Sequence, residues 1–278
     1  VKMNIVKHIR KVGVDKLADQ GRAVKLRQKI EGFTLFDDEL MSRVFDENIE
    51  CTELILSILL KRTDIRVTQV HTQREIKNLR GHSVRLDIHA QTTEEEPVDI
   101  EIQRADKGAG VKRARYNASM MDANTLVKGE EYDRLPECYC IFITEKDVMG
   151  CGLPVYHAQR VVSETGKLLG DGTHIIYVNG AYRGDDPIGR LMHDFSCSSP
   201  SDMYYQPLAR QVGYYKNDEK GVEAMSKGME ELIDMEKKEI ALKMLEDGKL
   251  QKEEVARYVG FTMEQVEELA ESQVVQAR

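Results

Sequence analysis

The sequence has no tryptophan, few aromatic residues and no long apolar segment. Among its 278 residues 6% are aromatic, and no run approaches the roughly 20 apolar residues that a membrane-spanning helix needs. Residues 1–16 (VKMNIVKHIRKVGVDK) also lack the apolar core and small-residue cleavage site of a signal peptide. These absences predict a soluble, cytoplasmic protein with no membrane partner, and a hydrophobic content of 41% is enough for a real core.

Cysteine is scarce as well, and its five positions show no paired spacing of the zinc-binding type. Cys138 and Cys140 lie two residues apart in an apolar segment, which is typical of a strand interior. A metal cluster that joins them to Cys151 and His157 is therefore the less favoured interpretation. We expect buried, reduced thiols.

Positive charge is concentrated at the N-terminal end of an acidic chain. The net charge is −8, yet residues 1–30 carry nine Lys or Arg against two Asp, which leaves about −15 for the remainder. A basic arm of this kind binds phosphate through counterion release, and it is equally typical of a solvated helix face. Both interpretations stay open for a helical arm at residues 1–30.

Hydrophobic periodicity predicts a mixed domain followed by helices. Helical spacing indicates two helices in residues 33–60, with a break near 46–48, and a third at 111–129. Strands are predicted at about 84–90, 98–103, 138–144 and 174–182.

From residue 221 onward the pattern is helical and rich in Glu, which would repel a phosphate backbone. A plain helical subdomain is the first interpretation, and contact with a partner or a second copy is the alternative. We therefore expect a mixed domain at 31–220 and a charged helical region at 221–278.

The segment 84–103 (VRLDIHAQTTEEEPVDIEIQ) places two acids in the middle of two otherwise apolar strands. A hairpin folded symmetrically about Glu94 pairs positions that sum to 188, so Asp87 lies opposite Glu101 on the same face. Cβ atoms of such a pair are about 4.5–5.5 Å apart, where like charges destabilise a sheet and raise the pKa of a carboxylate. A divalent cation removes this repulsion, and hard oxygen ligands suit Mg²⁺ or Mn²⁺.

A purely structural interpretation also fits these residues. Polar side chains are ordinary on the outer face of a half-exposed hairpin, and Arg85, Arg104 or His89 can pair with either acid. The spacing alone does not decide between a metal site and a structural pair.

Taken together, the motifs resemble the PD-(D/E)xK nuclease superfamily. The resemblance rests on Asp87, the hairpin, the IEIQ segment with Glu101 and Gln103, and the following RARYNASMMDANTLVKGEEYDRLPECYCIFIT. Over about residues 30–260 the sequence is similar to the branch of PD-(D/E)xK nuclease family transposases, or Rpn recombination-promoting nucleases. This implies an α/β (α+β) fold: a restriction-endonuclease-like core with a central mixed sheet flanked by helices, plus a C-terminal helical extension.

The resemblance also implies catalytic roles. Asp87 and Glu101 are expected to be the ligands of Mg²⁺ or Mn²⁺, and Gln103 takes the third motif position, where the superfamily has lysine. Since glutamine carries no charge, we expect it to orient the attacking water rather than to lower the pKa of that water. The first-helix acid is expected to be Glu53, with Glu50 as the alternative.

Basic residues near the motif are expected to contact DNA. The candidates are Arg104, Lys112, Arg113 and Arg115. Lys107, Lys112 or Arg104 is also a candidate for the charge that Gln103 lacks. For the residues at 112–115, an ordinary packed helix surface is an equal alternative.

The expected function is that of a Mg²⁺-dependent deoxyribonuclease, an endonuclease like the recombination-promoting nucleases of mobile elements. The alternative is a catalytically weak or inactive nuclease-fold protein that binds DNA or serves as a scaffold, acting through a partner in a mobile element or a phage-defence system. A homodimer through the C-terminal helices would suit a double-strand cutter.

Overall fold

The computed structural model describes residues 24–78, 81–104 and 108–276. These residues fall into two compact units that divide between Val222 and Glu223. The basic arm predicted at 1–30 lies outside the described residues as far as residue 23, and residues 24–32 are helical. No helix in the described part of the chain has both the length and the hydropathy needed to cross a membrane.

A six-stranded mixed sheet forms the centre of the first unit. Its strands are β1 (Val67–Ile76), β2 (Val84–Thr92), β3 (Pro97–Gln103), β4 (Cys138–Thr144), β5 (Val155–Ala158) and β8 (Thr173–Asn179), in the spatial order β1-β2-β3-β4-β8-β5. The first three strands are antiparallel, β3, β4 and β8 run parallel, and β5 returns antiparallel to β8. A separate small hairpin pairs β6 (Val161–Val162) with β7 (Lys167–Leu168). The expected central mixed sheet is confirmed.

Helices flank this sheet. They are α1 (Asp38–Phe45), α2 (Ile49–Leu60), α3 (Val111–Thr125), α4 (Pro187–Ser196) and α5 (Gln206–Asn217). The predicted break between the first two is confirmed, and Asn48 caps α2 by accepting a hydrogen bond from the Cys51 amide. The third helix ends earlier than predicted, because Leu126 is already extended.

Helix α3 is the crossover that joins β3 to the parallel strand β4. Its small residues Ala114 and Ala118 belong to a core cluster that includes Cys140 and Phe142 of β4. The helix can therefore approach the sheet closely, and this close packing brings its polar residues to β3.

The predicted hairpin register is confirmed. The pairs Ile88↔Ile100, His89↔Asp99 and Ala90↔Val98 all sum to 188. Strand β3, however, is buried at every position before Gln103. The half-exposed hairpin of the structural interpretation is therefore wrong for this strand, because α3 lies over it.

Strand β1 is one that hydrophobic periodicity does not predict. Its buried residues Val67, Val70 and Ile76 lack the two-residue period of a half-buried strand. Gln73 has a positive φ of 55°, which interrupts the regular alternation. The strand conformation of β1 is instead stabilised by its pairing with β2, which extends along most of its length.

Three of the five cysteines are placed as predicted. All five are free. Cys51, Cys138 and Cys140 are buried, as expected, whereas Cys197 is partly buried and Cys151 is exposed. The expectation of buried thiols is therefore wrong for Cys151 and only partly met at Cys197.

The second unit consists of helices with a small core of their own. α6 (Glu219–Asp247), α7 (Lys252–Val259) and α8 (Met263–Gln276) follow one another in the chain. Gly260 ends α7 with a left-handed φ of 73°. Their shared cluster contains Ala241, Val255 and Val266.

Candidate active site

Three carboxylates lie together on β2 and β3. Asp99 and Glu101 are fully buried, and Asp87 is half-buried. The regular β2–β3 pairing ends at Ile88↔Ile100. Beyond this pair, side-chain carboxylates accept hydrogen bonds from the backbone of the opposite strand. The Ile102 amide donates to Asp87 Oδ2 at 2.9 Å, and the Asp87 amide donates to the Glu101 carboxylate. The register thus sets Asp87 beside Glu101, as the sequence predicts.

Burial and mutual repulsion raise the pKa values of this cluster. Burial raises the pKa of Glu101 to about 9, with Asp99 and Asp87 adding repulsion and the Arg113 charge opposing it. Burial, with a smaller contribution from Asp87, raises the pKa of Asp99 to about 7 against the hydrogen bonds from Asn117 and Cys140, which lower it. The pKa of Asp87 is also raised, first by burial and then by Asp38. A positive ligand would compete with protons for the same oxygens.

Asn117 of α3 bridges two of the carboxylates. Its Nδ2 donates to Asp99 Oδ2 at 3.1 Å and to Glu101 Oε1 at 3.2 Å. Cys140 Sγ contacts Asp99 Oδ2 at 3.5 Å. The other oxygen, Asp99 Oδ1, is buried without a hydrogen-bond partner among the described residues. An unpartnered buried oxygen of this kind is costly in a purely structural site.

Arg113 supplies the positive charge nearest to the motif. It contacts Glu101 Oε2 and donates to the Gly108 carbonyl at 3.2 Å. Gln103 Nε2 donates to the same Glu101 oxygen at 3.3 Å. A Cβ at Gly108 would lie only 1.7 Å from Gln103 Oε1, so any larger residue here would displace the Gln103 amide.

The acid that α1 brings to the cluster is Asp38, which the sequence reasoning missed. Asp38 is close enough to raise the pKa of Asp87, and its own pKa is raised by desolvation, with Arg85 opposing the shift. The available signal was the Asp37-Asp38 pair at the start of the first predicted helix. An acid at that helix start lies near β2 because α1 packs against β1 and β2.

The structure places both predicted first-helix acids elsewhere. Glu53 Oε1 accepts a hydrogen bond from the Val67 amide at 2.8 Å. Val67 pairs with Thr92, about 17 Å along β2 from Asp87. Glu50 contacts Arg210. The placement of Glu53 at the motif is thus corrected: it fixes the start of β1 instead.

A basic groove opens beside the carboxylates. Its volume is about 660 Å³, and its lining includes Arg85, Lys112, Arg113 and Arg115. Three of the four predicted DNA-contacting residues therefore share one surface with Arg85, which the sequence reasoning treated only as a pairing partner. The fourth, Arg104, contacts Asp37, and Lys107 lies outside the described residues.

Of the three pairing partners suggested by the structural interpretation, only Arg85 acts on one of the two acids, because its charge lowers the pKa of Asp87. Arg104 is engaged by Asp37. Burial lowers the pKa of His89 to about 4, with Arg74 and His71 adding to the shift, so this imidazole is neutral near pH 7. Arg113 is the residue that pairs with Glu101.

The donor set fits a cation that takes few protein ligands. No group of three or more His, Cys, Asp or Glu side chains suits a metal ion within residues 24–78, 81–104 and 108–276. Asp87 and Glu101 provide two neighbouring hard oxygen donors. Their pKa values are raised, and a bound cation would lower them again. Mg²⁺ keeps several waters and accepts one or two carboxylates together with substrate phosphate, so these residues fit such an ion.

Comparison with known proteins gives one match, to a family model that covers part of this domain. Residues 44–180 match the family model described as "PD-(D/E)XK nuclease family transposase". The matched range contains the three carboxylates, Gln103, Arg113 and Asn117, whereas Asp38 lies before it. Neither the curated proteins nor the solved structures give a match.

Proposed function

From the match of residues 44–180 to the PD-(D/E)XK nuclease family transposases, we propose that the protein is a metal-dependent endonuclease that hydrolyses DNA phosphodiester bonds. One observation carries the proposal. Asp87 and Glu101 lie side by side with raised pKa values, next to a groove lined by four cationic side chains. Carboxylates that repel each other and a surface that attracts phosphate are the two requirements for cation-assisted phosphodiester cleavage.

The residues of the chain take distinct roles in this proposal. Asp87 and Glu101 hold Mg²⁺ or Mn²⁺, which when bound polarises the scissile phosphate and lowers the pKa of a bound water. The Ile102 amide fixes the orientation of Asp87. Gln103, through its side-chain amide, orients the attacking water.

Arg113 takes the place of the lysine that the third motif position lacks. Its guanidinium contacts Glu101, lies in the groove and is partly exposed, so it can neutralise charge on a phosphate bound at the same point. Preorganised positive charge of this kind stabilises the developing charge of the transition state. Asn117 holds Glu101 in place from the buried side.

Cleavage of supercoiled plasmid and of single-stranded DNA, with Mg²⁺, Mn²⁺ or EDTA, tests this proposal. We expect nicking or linearisation that requires the metal and falls by at least about 1,000-fold in Asp87→Ala, because a metal ligand is removed. Asp133→Asn, an exposed acid outside the cluster, is the matched control and retains activity. Metal-independent cleavage, or cleavage that survives in Asp87→Ala, would contradict the assignment.

A second candidate is a catalytically inactive nuclease-fold protein that binds DNA or a partner as a scaffold. It is favoured by the engagement of Glu101 by both Arg113 and Gln103, which already satisfies this carboxylate without a cation. DNA binding without cleavage under every metal condition is the outcome that supports it.

The helical second unit is proposed to pair two copies. Leu232, Met235 and Ile240 of α6 are exposed apolar residues. A dimer would place two sites on one duplex, as a double-strand cutter needs. Light scattering of the full chain and of Met235→Glu measures this: a dimer that becomes a monomer supports the pairing, and a monomer in both overturns it.

A further inference from the structure

A second cavity lies along β1, β2 and α3. Its volume is about 540 Å³, which lies within the roughly 300–1,000 Å³ of small-molecule pockets. Strand β2 contributes His89 and Gln91, and α3 contributes Asn124 and Thr125. The three carboxylates do not line the cavity, but β2 and α3 also contribute to the candidate active site.

The geometry of β2 links the cavity to the carboxylates. Asp87, His89 and Gln91 alternate with buried residues, so they share one face of the strand. His89 lies two residues from Asp87, which is about 7 Å along the strand. A nucleotide next to a phosphate bound at Asp87 can therefore reach this side chain.

The geometry of α3 gives the same continuity. Asn117, Met121 and Asn124 are four and then three residues apart, so they lie on one face of the helix. Asn117 contacts the carboxylates, and the other two line the cavity. Seven helical residues span about 10 Å, so the lining residues of α3 lie one to two turns from the residue that contacts the carboxylates.

The charges of the cavity differ from those of the basic groove. The positive charges of Arg74 and Lys77 in the cavity lining are balanced by the negative charges of Glu75 and Glu95. The lysine and arginine side chains that line the groove have no acidic residue beside them among the described residues of its lining. A balanced lining favours an uncharged polar ligand over a phosphate. The sugar-phosphate backbone therefore fits the groove, and an uncharged part of the nucleotide fits the cavity.

Side-chain amides contribute to the lining of the cavity. Gln91 of β2 and Asn124 of α3 are both lining residues. Asn124 donates its Nδ2 to the Met120 carbonyl at 2.7 Å, so its Oδ1 is the atom that accepts from a ligand. The amide of Gln91 carries both a donor and an acceptor, so the lining residues supply both kinds of group.

We propose that this cavity holds one unpaired nucleobase of the DNA strand that is cut, so the preferred substrate is DNA with an unstacked or single-stranded nucleotide beside the scissile phosphate. This inference rests on the proposed nuclease function. Base edges present neighbouring donors and acceptors that side-chain amides recognise. A fully paired duplex keeps its bases in the stack, whereas an unpaired base enters a pocket at a smaller cost in unstacking.

Binding experiments on the full chain separate this site from catalysis. The probes are a matched duplex and the same duplex with a one-nucleotide bulge containing 2-aminopurine, measured with Asp87→Ala so that no strand is cut. We expect about tenfold tighter binding of the bulged DNA, together with a fluorescence change on binding. Adding Gln91→Ala or Asn124→Ala removes the preference, and Gln159→Ala, which lies outside this cavity, keeps it.

The outcomes distinguish this inference from the function on which it rests. Equal affinity for bulged and matched DNA, or a bulge preference that survives in both Gln91→Ala and Asn124→Ala, overturns the base site. If wild type still cuts plasmid in that case, the proposed nuclease function stands. A cavity-dependent bulge preference without cleavage in any metal supports the base site and overturns the nuclease function instead.

Discussion

Two fully buried aspartates in the first unit have opposite surroundings. Asp194, in α4, accepts hydrogen bonds from the amides of Tyr204 and Tyr205, both at 2.8 Å. Asp99, in β3, shares one amide nitrogen with Glu101 and has an unpartnered oxygen. Both are 0% exposed, so burial alone does not distinguish an acid whose oxygens are hydrogen-bonded from one with an unpartnered oxygen. What separates them is whether the fold satisfies the charge.

The largest expected effect is on stability, from replacing each acid by its neutral isostere. Asp194→Asn puts an amide group against backbone N–H donors and leaves one of them unsatisfied, so we expect a loss of about 2–3 kcal/mol in the free energy of unfolding. Asp99→Asn relieves repulsion with Asp87 and Glu101, so we expect a change of less than about 1 kcal/mol, or a gain. Urea unfolding of the metal-free protein measures both. Equal losses would show that the carboxylate cluster is as structural as Asp194.

Replacing Arg113 tests, through activity, whether the carboxylate cluster has a catalytic rather than a structural role. Arg113→Ala removes the cation that contacts Glu101 and lines the groove, so we expect cleavage to fall about 100-fold with the fold intact. Arg113→Lys should recover only part of the rate, because a single ammonium cannot reproduce the guanidinium contacts to Glu101 and to the Gly108 carbonyl. Plasmid cleavage rates under saturating Mg²⁺ provide the measurement.

Arg134→Ala is the matched control, since Arg134 is exposed and pairs only weakly with Glu130, at 4.0 Å. A rate unchanged in Arg113→Ala would remove this residue from the proposed mechanism.

The fold could be predicted from the sequence where local patterns are strong. The apolar runs at β4 and β8 and the hairpin symmetry about Glu94 determine those strands, and the register follows from the symmetry. Strand β1 could not be predicted from its residues, because its burial lacks a two-residue period and Gln73 breaks the alternation.

In the candidate site, too, some residues could be placed from the sequence and others could not. Asp87 and Glu101 could be placed together because a strand register is a local property. The helix acid could not, because only the packing of α1 against the sheet brings Asp38, and not Glu53, near Asp87. The reach of Arg113 back to Glu101 likewise depends on how α3 crosses β3, which periodicity does not specify. The roles of all these residues stay predictions until the variants are measured.

The pH dependence of metal-free stability is a smaller effect with a definite sign. The pKa of Glu101 rises from 4.5 to about 9 on folding, and that of Asp99 from 3.8 to about 7. The folded state therefore binds more protons than the unfolded state between about pH 4 and pH 9, so stability in EDTA falls as pH rises through this interval.

Mg²⁺ should oppose that fall, because it competes with protons for the same carboxylates. Thermal unfolding at pH 5.5, 7 and 8.5 checks this. We expect the increase in Tm on adding Mg²⁺ to grow with pH, by about 2–4 °C for each kcal/mol recovered, and to shrink in Glu101→Gln. A Tm increase that does not depend on pH would place the metal away from the cluster.

The smallest expected effects are those of surface cations on DNA binding. A cation that is already paired with an acid should contribute less to binding than one that is not. Lys112 and Arg115 line the basic groove, and replacing either cation by alanine should lower affinity several-fold and reduce the salt slope by about 1. Arg104 already contacts Asp37 and lies 3.9 Å from Glu145, so Arg104→Ala should change both quantities less. Affinity of Asp87→Ala for a matched duplex at several salt concentrations, with and without each added change, measures this. If Arg104→Ala weakens binding as much as Lys112→Ala, then pairing with Asp37 does not prevent Arg104 from contacting DNA. The difference between satisfied and unsatisfied charges would then apply only to buried groups.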